Sequence, residues 1–193
     1  MTDLPAGPDA FAAADAVVYD LDETLLELLV DWDRVADDVA ATYAEHALIP
    51  PTEDLWELRD AAEEYGIGAE VEEAIAARER AGAIDSRLFP LGERLRSGED
   101  ARPAAICSLN CEAACRIGLE THGLEDVVGT VIGRDSLRTH KPDPEPLLAA
   151  IDAIGADPDR AVFVGDSASD AVTAERADVA FVSVVDALAA DGR

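Results

Sequence analysis

The segment AVVYDLDET, residues 16–24, is the part of this 193-residue chain from which its architecture can be inferred. Its first four residues form an apolar run that stops at Asp20, which is the pattern of a short buried strand. Asp20 and Asp22 follow at positions i and i+2, and side chains at that spacing in extended backbone point to the same side. The segment therefore predicts a buried strand that ends in two carboxylates at one edge of a sheet.

Four further apolar runs follow downstream and are separated by segments with helical patterns. Strands that alternate with helices indicate a parallel sheet that is covered by helices on both faces. The sequence therefore predicts an α/β fold with a Rossmann-like, three-layer parallel sheet core. The predicted strands span 104–107, 127–132, 161–164 and 180–184, and the predicted helices span about 110–122, 144–154 and 169–177.

The segment from about Leu28 to Leu88 has a different texture, because its apolar residues recur at helical spacing. Residues 50–52 (PPT) and 66–68 (GIG) interrupt that pattern, so about three helices are expected. We therefore expect two domains. Residues 1–27 and 89–193 form the sheet core, and residues 28–88 form a small all-helical insertion.

Reactive polar residues also follow the other predicted strands. Ser108 ends the second strand, Asp166 ends the fourth with Asp170 close behind, and Lys141 lies in the turn after the third. The carboxyl ends of parallel strands share one edge of the sheet, where reactive groups gather. Clustered carboxylates repel one another, and Mg²⁺ is the cation that an oxygen-only ligand set favours. This pattern predicts a site for magnesium and a phosphate group.

Lys141 is the single lysine in a chain with fourteen arginines. A lysine is a compact point charge, whereas an arginine presents a planar fork, so the two are not interchangeable beside a phosphate or a carboxylate. A chance surface position is the alternative interpretation. The acidic strand ends around Lys141 favour a contact with phosphate.

Four ordered segments together resemble the four motifs of the haloacid dehalogenase superfamily: DLDET at 20–24, Ser108, Lys141 before Pro-Asp-Pro, and GDSASD at 165–170. The resemblance spans about Val17 to Val184. Asp-x-Asp-x-Thr alone is a weak signal in an acidic chain, but four motifs in order at strand ends are specific. The resemblance implies the phosphatase branch, similar to phosphoglycolate phosphatases, with residues 28–88 as a cap that closes over the site.

The resemblance also implies a role for each matched residue. Asp20 would be the nucleophile that forms an aspartyl-phosphate, and Asp22 the general acid and then the general base. Ser108 and Lys141 would contact the phosphoryl group and take part in catalysis. Asp20, Asp166 and the backbone carbonyl of Asp22 would ligate Mg²⁺.

Other residues in or near the motifs are expected to support the site. Asp170 would hold Lys141 or act behind the metal ligands. Thr24 is assigned to the loop after the first strand and to substrate binding. Asn110 is interpreted first as a helix cap and second as a substrate contact. Glu23 departs from the superfamily pattern, because many members have glycine there.

Three other functions compete with a hydrolase that acts on a small phosphorylated metabolite. A sugar phosphomutase would need cap cations to hold a bisphosphate. A 2-haloacid dehalogenase is disfavoured because such enzymes usually lack the aspartate at position 22. A non-catalytic phosphoacceptor module is disfavoured because Asp20 ends the first strand and because receivers lack a helical insertion. The arginines between Asp22 and Phe89 are Arg34, Arg59, Arg78, Arg80 and Arg87.

Composition limits the partners and the compartment. The chain has 42 acids and 15 bases, a formal charge of −27, which argues against nucleic acid and anionic membranes as partners. Met1 to Ala14 lacks the basic region of a signal peptide, and no apolar run is long enough for a membrane span. Cys107, Cys111 and Cys115 are interpreted as buried thiols of a reducing cytoplasm rather than as metal ligands. Monomer and homodimer both stay open.

The acid excess, the single lysine and the many alanines are typical of a halophilic protein, dissolved in concentrated salt. Charge repulsion should destabilise the fold in dilute buffer, whereas screening lengths shrink to about 3 Å at 1 M ionic strength. We therefore expect the melting temperature to rise between low salt and molar KCl. Thermal unfolding followed by circular dichroism checks this, and an unchanged melting temperature would contradict it.

Overall fold

The computed structural model describes residues 7–190. The first six residues of the segment judged to lack a signal-peptide pattern, and the last three residues of the predicted core, lie outside that range. Along the chain the strands are β1 (Ala16–Tyr19), β2 (Leu26–Glu27), β3 (Arg87–Leu88), β4 (Ala104–Cys107), β5 (Thr130–Ile132), β6 (Ala161–Gly165) and β7 (Ala180–Ser183). The helices are α1 (Pro8–Ala13), α2 (Trp32–Glu45), α3 (Leu55–Ala62), α4 (Gly68–Ile84), α5 (Pro90–Ser97), α6 (Glu112–Thr121), α7 (Glu145–Ala153), α8 (Ala168–Ala177) and α9 (Val184–Ala189).

Five parallel strands form the central sheet in the order β5-β4-β1-β6-β7. The first strand of the chain is therefore the middle strand of the sheet, with Val17 opposite Ala104 on one side and Val162 on the other. The predicted parallel α/β fold is confirmed. Polar residues that follow β1, β4 and β6 are consequently neighbours in space.

The sheet is buried on both faces because successive residues of β1 point to opposite sides. Val17 and Tyr19 pack into a cluster with α1, α5, α6 and α9. Ala16 and Val18 pack into a second cluster with α7 and α8. This explains why the strands read as continuous apolar runs rather than as alternating ones.

Three predicted strands have different bounds in the structure, and β6 differs only in including Gly165 at its end. Residues 127–129 precede β5 rather than belonging to it, because the Val127 N–H donates to Leu124 O in a turn. Val184 begins α9 instead of ending β7. The Ser183 side chain accepts from the Asp186 N–H and caps that short helix.

The segment between β2 and β3 folds into the three expected helices, α2, α3 and α4. Their apolar faces share a cluster that includes Val35, Tyr43 and Leu58. Helix α4 faces two ways, because Val71 and Ile75 join that cluster while Ala76 and Ala83 join the cluster under the sheet. The division of the chain at residues 28 and 88 stays a prediction.

The three cysteines are free and buried. Burial raises the pKa of Cys107 and of Cys111 to about 12, so both side chains are neutral thiols at ordinary pH. This agrees with their interpretation as small buried residues. None of the helices within residues 7–190 is long and apolar enough to cross a membrane.

Candidate active site

The carboxyl ends of β1, β4 and β6 open onto a cavity of about 210 Å³. Asp20, Ser108 and Asp166 reach it from these three adjacent strands, and Lys141 reaches it from the loop after β5. Residues up to 146 positions apart in the sequence therefore share one cavity, as the motif order predicted. The lining residues are Asp20, Asp22, Glu23, Trp32, Trp56, Glu79, Ser108, Leu109, Asn110, Lys141, Asp166 and Ser167.

Lys141 lies between two carboxylates and is only 3% exposed. Its Nζ is 2.9 Å from Asp20 Oδ1 and 2.5 Å from Asp170 Oδ1. Burial opposes the charge on Lys141, but Asp20 and Asp170 outweigh that effect and raise its pKa above the ordinary value. The ammonium group is therefore fixed, fully charged, beside the first aspartate of the first motif.

Asp170 supports Lys141 and also begins a helix. Its Oδ1 accepts from Lys141, while its Oδ2 accepts from the N–H and the hydroxyl of Ser167, which caps α8. Gly165 makes this approach possible, because a Cβ at that position would lie 2.5 Å from Asp170 Oδ2. The two interpretations of Asp170, as a helix-start residue and as a partner of Lys141, are therefore compatible.

Three carboxylates form a group that could hold a cation. Oxygen atoms of Asp20, Asp166 and Asp170 lie within 4.8 Å of one another. Asp20 Oδ1 is close to Lys141 but makes no well-angled hydrogen bond to any described residue, and Asp166 is exposed. Both oxygens of Asp170 are already engaged. Asp20 and Asp166 thus offer hard oxygen donors that fit Mg²⁺.

The Asp22 carboxylate is hydrogen-bonded to the backbone at the start of the helical insertion. Its Oδ1 accepts the Leu28 N–H at 2.7 Å, so the carboxylate is tied to the chain entering the helical insertion. Its proposed share in metal binding, through the backbone carbonyl, stays a prediction. Burial, with smaller contributions from Asp20 and Glu23, raises the pKa of Asp22 to about 6. A carboxyl group with such a pKa can both give and take a proton near neutral pH.

Asp20 is more deeply buried than Asp22. Burial raises the pKa of Asp20 to about 6, while the nearby charge of Lys141 acts in the opposite direction. A bound cation would add to the effect of Lys141 and favour the carboxylate. The site therefore keeps the Asp20 carboxylate out of bulk water while Lys141 compensates its charge.

Ser108 and Asn110 form a small hydrogen-bonded loop at the end of β4. The Ser108 hydroxyl donates to Asn110 Oδ1 at 3.1 Å and accepts the Asn110 N–H at 3.2 Å. The prediction that Asn110 caps the next helix is wrong. Helix α6 begins after Cys111, and Asp135 from a separate loop accepts the Glu112 N–H at 2.7 Å. Asn110 instead lines the cavity, where its secondary interpretation placed it.

Thr24 and Glu23 are adjacent in the sequence, but only Glu23 lines the cavity. Thr24 is fully buried and is not among the residues that line the cavity, so a direct substrate contact by Thr24 stays a prediction. Glu23 lines the cavity and has a φ of 58°, a left-handed conformation that glycine adopts without strain. Glu23 therefore holds a backbone conformation in which glycine, the residue expected there from the resemblance, would be less strained.

Two tryptophans line the cavity and were not predicted as site residues. Trp32 is the first residue of α2 and Trp56 the second residue of α3. Their ring centroids are 5.8 Å apart, and they are 39% and 43% exposed. Trp32 falls in the helical apolar pattern of residues 28–88, and such a pattern does not show which end of a helix lies over the site. Half-exposed aromatic rings over a polar cavity can contact a ligand.

A buried acid, Glu79, is a further residue that sequence reasoning missed. It is fully buried in α4 and also lines the cavity. Its spacing from Ala76 and Ala83 was an available signal, since it places a lone carboxylate on an apolar helical face. An acid in that position needs a buried partner.

Comparison with known proteins finds a family model and several relatives that match part of the chain. Residues 99–184 match the family model described as haloacid dehalogenase-like hydrolase. A phosphoglycolate phosphatase from Rhodospirillum rubrum is 43% identical over 77 residues, which is 40% of this chain and 32% of that relative. A pyrophosphatase, PpaX, from Oceanobacillus iheyensis is 34% identical over 79 residues, 41% of this chain and 37% of that relative. These matches span about a third of the relatives' own length.

A solved structure extends the likeness to nearly the whole chain. A candidate phosphoglycolate phosphatase from Lactobacillus plantarum superposes with a TM-score of 0.66 and 26% identity, covering 94% of this chain and 92% of that one. Part of the chain therefore matches the haloacid dehalogenase-like hydrolase family, and nearly all of it has the fold of the solved structure. The chain carries Asp20, Ser108, Lys141 and Asp166 at one edge of its sheet, in the order in which the sequence resemblance named them.

Proposed function

We propose that this protein is a haloacid dehalogenase-type, Mg²⁺-dependent phosphomonoester hydrolase that acts on a small phosphorylated metabolite through an aspartyl-phosphate. The observation that carries this proposal is the burial of Lys141 between Asp20 and Asp170 beside the cavity that Ser108 and Asp166 line. A fixed cation next to a carboxylate suits a site that brings a phosphoryl group to a nucleophile of the same charge. The names of the relatives support phosphate esters or anhydrides as the substrate class.

In the first step, a carboxylate oxygen of Asp20 attacks phosphorus and the bond from phosphorus to the leaving oxygen breaks. Asp22 donates its proton to that oxygen, so the product leaves as an alcohol. The Ser108 hydroxyl and Lys141 Nζ bind the non-bridging phosphoryl oxygens and so orient the phosphoryl group with its leaving oxygen in line with the attacking oxygen of Asp20.

In the second step, water attacks the same phosphorus atom. Asp22, now a carboxylate, takes a proton from the water, and the bond between phosphorus and the Asp20 oxygen breaks. Inorganic phosphate leaves and Asp20 returns to its ionised form. One residue thus serves as acid and then as base, for which the pKa of Asp22, near 6, is suitable.

Asp20 and Asp166 would hold the magnesium ion, together with the backbone carbonyl of Asp22. The ion would supply positive charge that lets an anionic phosphate approach a cluster of aspartates. Residues 28–88 would act as the cap, with Trp32 and Trp56 facing the substrate. A mutase would need cap cations that can hold a bisphosphate. Arg59 and Arg78 are poor candidates for this, because each forms an ion pair with a carboxylate in residues 28–88.

A phosphate-release assay tests this function. The folded protein in molar KCl is given a panel of phosphomonoesters and pyrophosphate, with Mg²⁺ or with a chelator. We expect release that needs Mg²⁺, and the ranking of the panel would narrow the substrate. Isomerisation of a sugar phosphate without release would favour a mutase. The proposal would be contradicted if no phosphate were released from any compound of the panel, or if release were the same with Mg²⁺ and with the chelator.

A further inference from the structure

Glu79 of α4 meets Arg134, from the loop after β5, in a buried two-pronged ion pair. Arg134 Nη1 lies 2.7 Å from Glu79 Oε1, and Nη2 lies 3.0 Å from Oε2. The two side chains are 0% and 1% exposed. Arg134 Nη2 also lies 2.5 Å from Oε1 of Glu72, which is in the first turns of the same helix. Burial disfavours the guanidinium charge, but these two carboxylates outweigh it and raise the pKa of Arg134.

This ion pair makes hydrogen bonds to residues 109–111, the loop that follows Ser108. The Cys111 N–H donates to Glu79 Oε2 at 3.0 Å, and Asn110 Nδ2 donates to Glu79 Oε1 at 3.4 Å. Arg134 Nη1 donates to Leu109 O at 2.5 Å, and the Arg134 N–H donates to Asn110 O at 2.9 Å. Each residue from 109 to 111 is therefore bonded to the pair, and Asn110 in turn bonds the Ser108 hydroxyl.

The arrangement is better suited to positioning than to stability. A buried ion pair contributes little net stability, since apolar residues of similar volume often serve as well or better. Here the carboxylate instead satisfies two donors of the loop and two of Arg134, which no apolar side chain could do. Because Glu79 lies on α4, the loop is complete only when that helix is seated on the core.

We propose that Glu79 and Arg134 are positioning residues that hold the Ser108–Asn110 loop in its phosphate-binding conformation and so couple the seating of α4 to phosphate binding. The identity of the ligand rests on the proposed function. Because such coupling is reciprocal, bound phosphate also strengthens the seating of α4. The pair joins residues 55 positions apart, so it links the helical segment to the core directly at the site.

Glu79→Gln tests the proposal with little change in volume. The glutamine keeps one acceptor but turns an amide nitrogen toward two donors that Glu79 now satisfies. We expect affinity for inorganic phosphate, with Mg²⁺ in molar KCl, to fall about 10- to 100-fold, the cost typical of a small misplacement at a site. KM for the best ester should rise in parallel. The fluorescence of Trp32 and Trp56, which line the cavity, can report phosphate binding.

The matched control is Glu73→Gln on the same helix. Glu73 is 67% exposed and pairs with Arg80 at the surface, so phosphate affinity and KM should stay at wild-type values. If Glu79→Gln also matches the wild type in both measurements while the wild type hydrolyses esters, the positioning role is wrong and the hydrolase proposal stands. If the wild type binds phosphate but hydrolyses nothing, the hydrolase proposal fails, and weaker binding by Glu79→Gln still supports the positioning role.

A double variant separates positioning from folding. Replacing both Glu79 and Arg134 by methionine removes the buried charges together, so the melting temperature should lie closer to wild type than that of Arg134→Met alone. The loop bonds stay unmade, so phosphate affinity should stay low. Affinity that recovers along with the melting temperature would show that the pair only supports the fold. Should the double variant not fold, the comparison of Glu79→Gln with Glu73→Gln decides the question by itself.

Discussion

Asp20→Asn is expected to lower phosphate release by on the order of 10⁴-fold or more, because an amide cannot attack phosphorus and loss of a nucleophile is among the costliest single changes in an enzyme. The fold should survive, since the side chains have nearly the same shape and Lys141 keeps its bond to Asp170. Steady-state release and thermal unfolding, both in molar KCl, check these two parts of the expectation.

Asp15→Asn is the matched control for that variant. Asp15 lies just before β1, is 61% exposed and pairs with Arg160 at the surface. The activity of the Asp15→Asn variant should therefore equal that of the wild type. An Asp20→Asn protein with activity within tenfold of wild type would contradict the nucleophile assignment. An unfolded one would instead show that Asp20 is needed for the core.

Lys141→Met is expected to abolish detectable release and also to destabilise the protein. The methionine leaves Asp20 and Asp170 buried with no cation between them, and removing one partner of a buried ion pair costs about 3–5 kcal/mol of unfolding free energy. No other side chain bonds Asp170 Oδ1 within residues 7–190. Denaturant unfolding in molar KCl measures the change in stability.

Adding Asp170→Asn to Lys141→Met separates the two effects. Neutralising Asp170 removes one of the stranded charges, so part of the lost stability should return, while activity should not. A Lys141→Met protein that is as stable as the wild type would mean that Asp20 and Asp170 are protonated or solvated without Lys141. Recovery of activity in the double variant would contradict a role for Lys141 in binding the phosphoryl group.

The sequence was enough to predict the sheet because each strand of a parallel sheet is a short apolar run that stops at a polar residue. The bounds of β1 and β4 are as predicted, whereas β5 begins three residues late. Valines at 127 and 128 have high strand propensity, but a local turn takes precedence at that point. Helix α9 escaped prediction because six residues are too few to show a period.

The site was predictable where chemistry lies next to a strand end. Asp20, Ser108, Lys141 and Asp166 could be placed together from topology alone, because parallel strands deliver their ends to one edge. Glu79 and Arg134 could not, because their pairing depends on how α4 packs against the core, and helical periodicity carries no information about that packing. The cap of α6 was missed for the same reason, since Asp135 supplies it from 23 residues away.

The two-stranded ribbon of β2 and β3 has a consequence for how this protein can diversify. Leu26 lies opposite Leu88, so the intervening helical segment leaves the sheet domain and returns to it at one point. A segment whose two ends adjoin can be lengthened, shortened or exchanged in evolution without altering the sheet. If Glu79 positions the Ser108–Asn110 loop as proposed, this acid on α4 would restrain such exchange. A replacement helical segment would need an acidic side chain at the place that Glu79 now occupies.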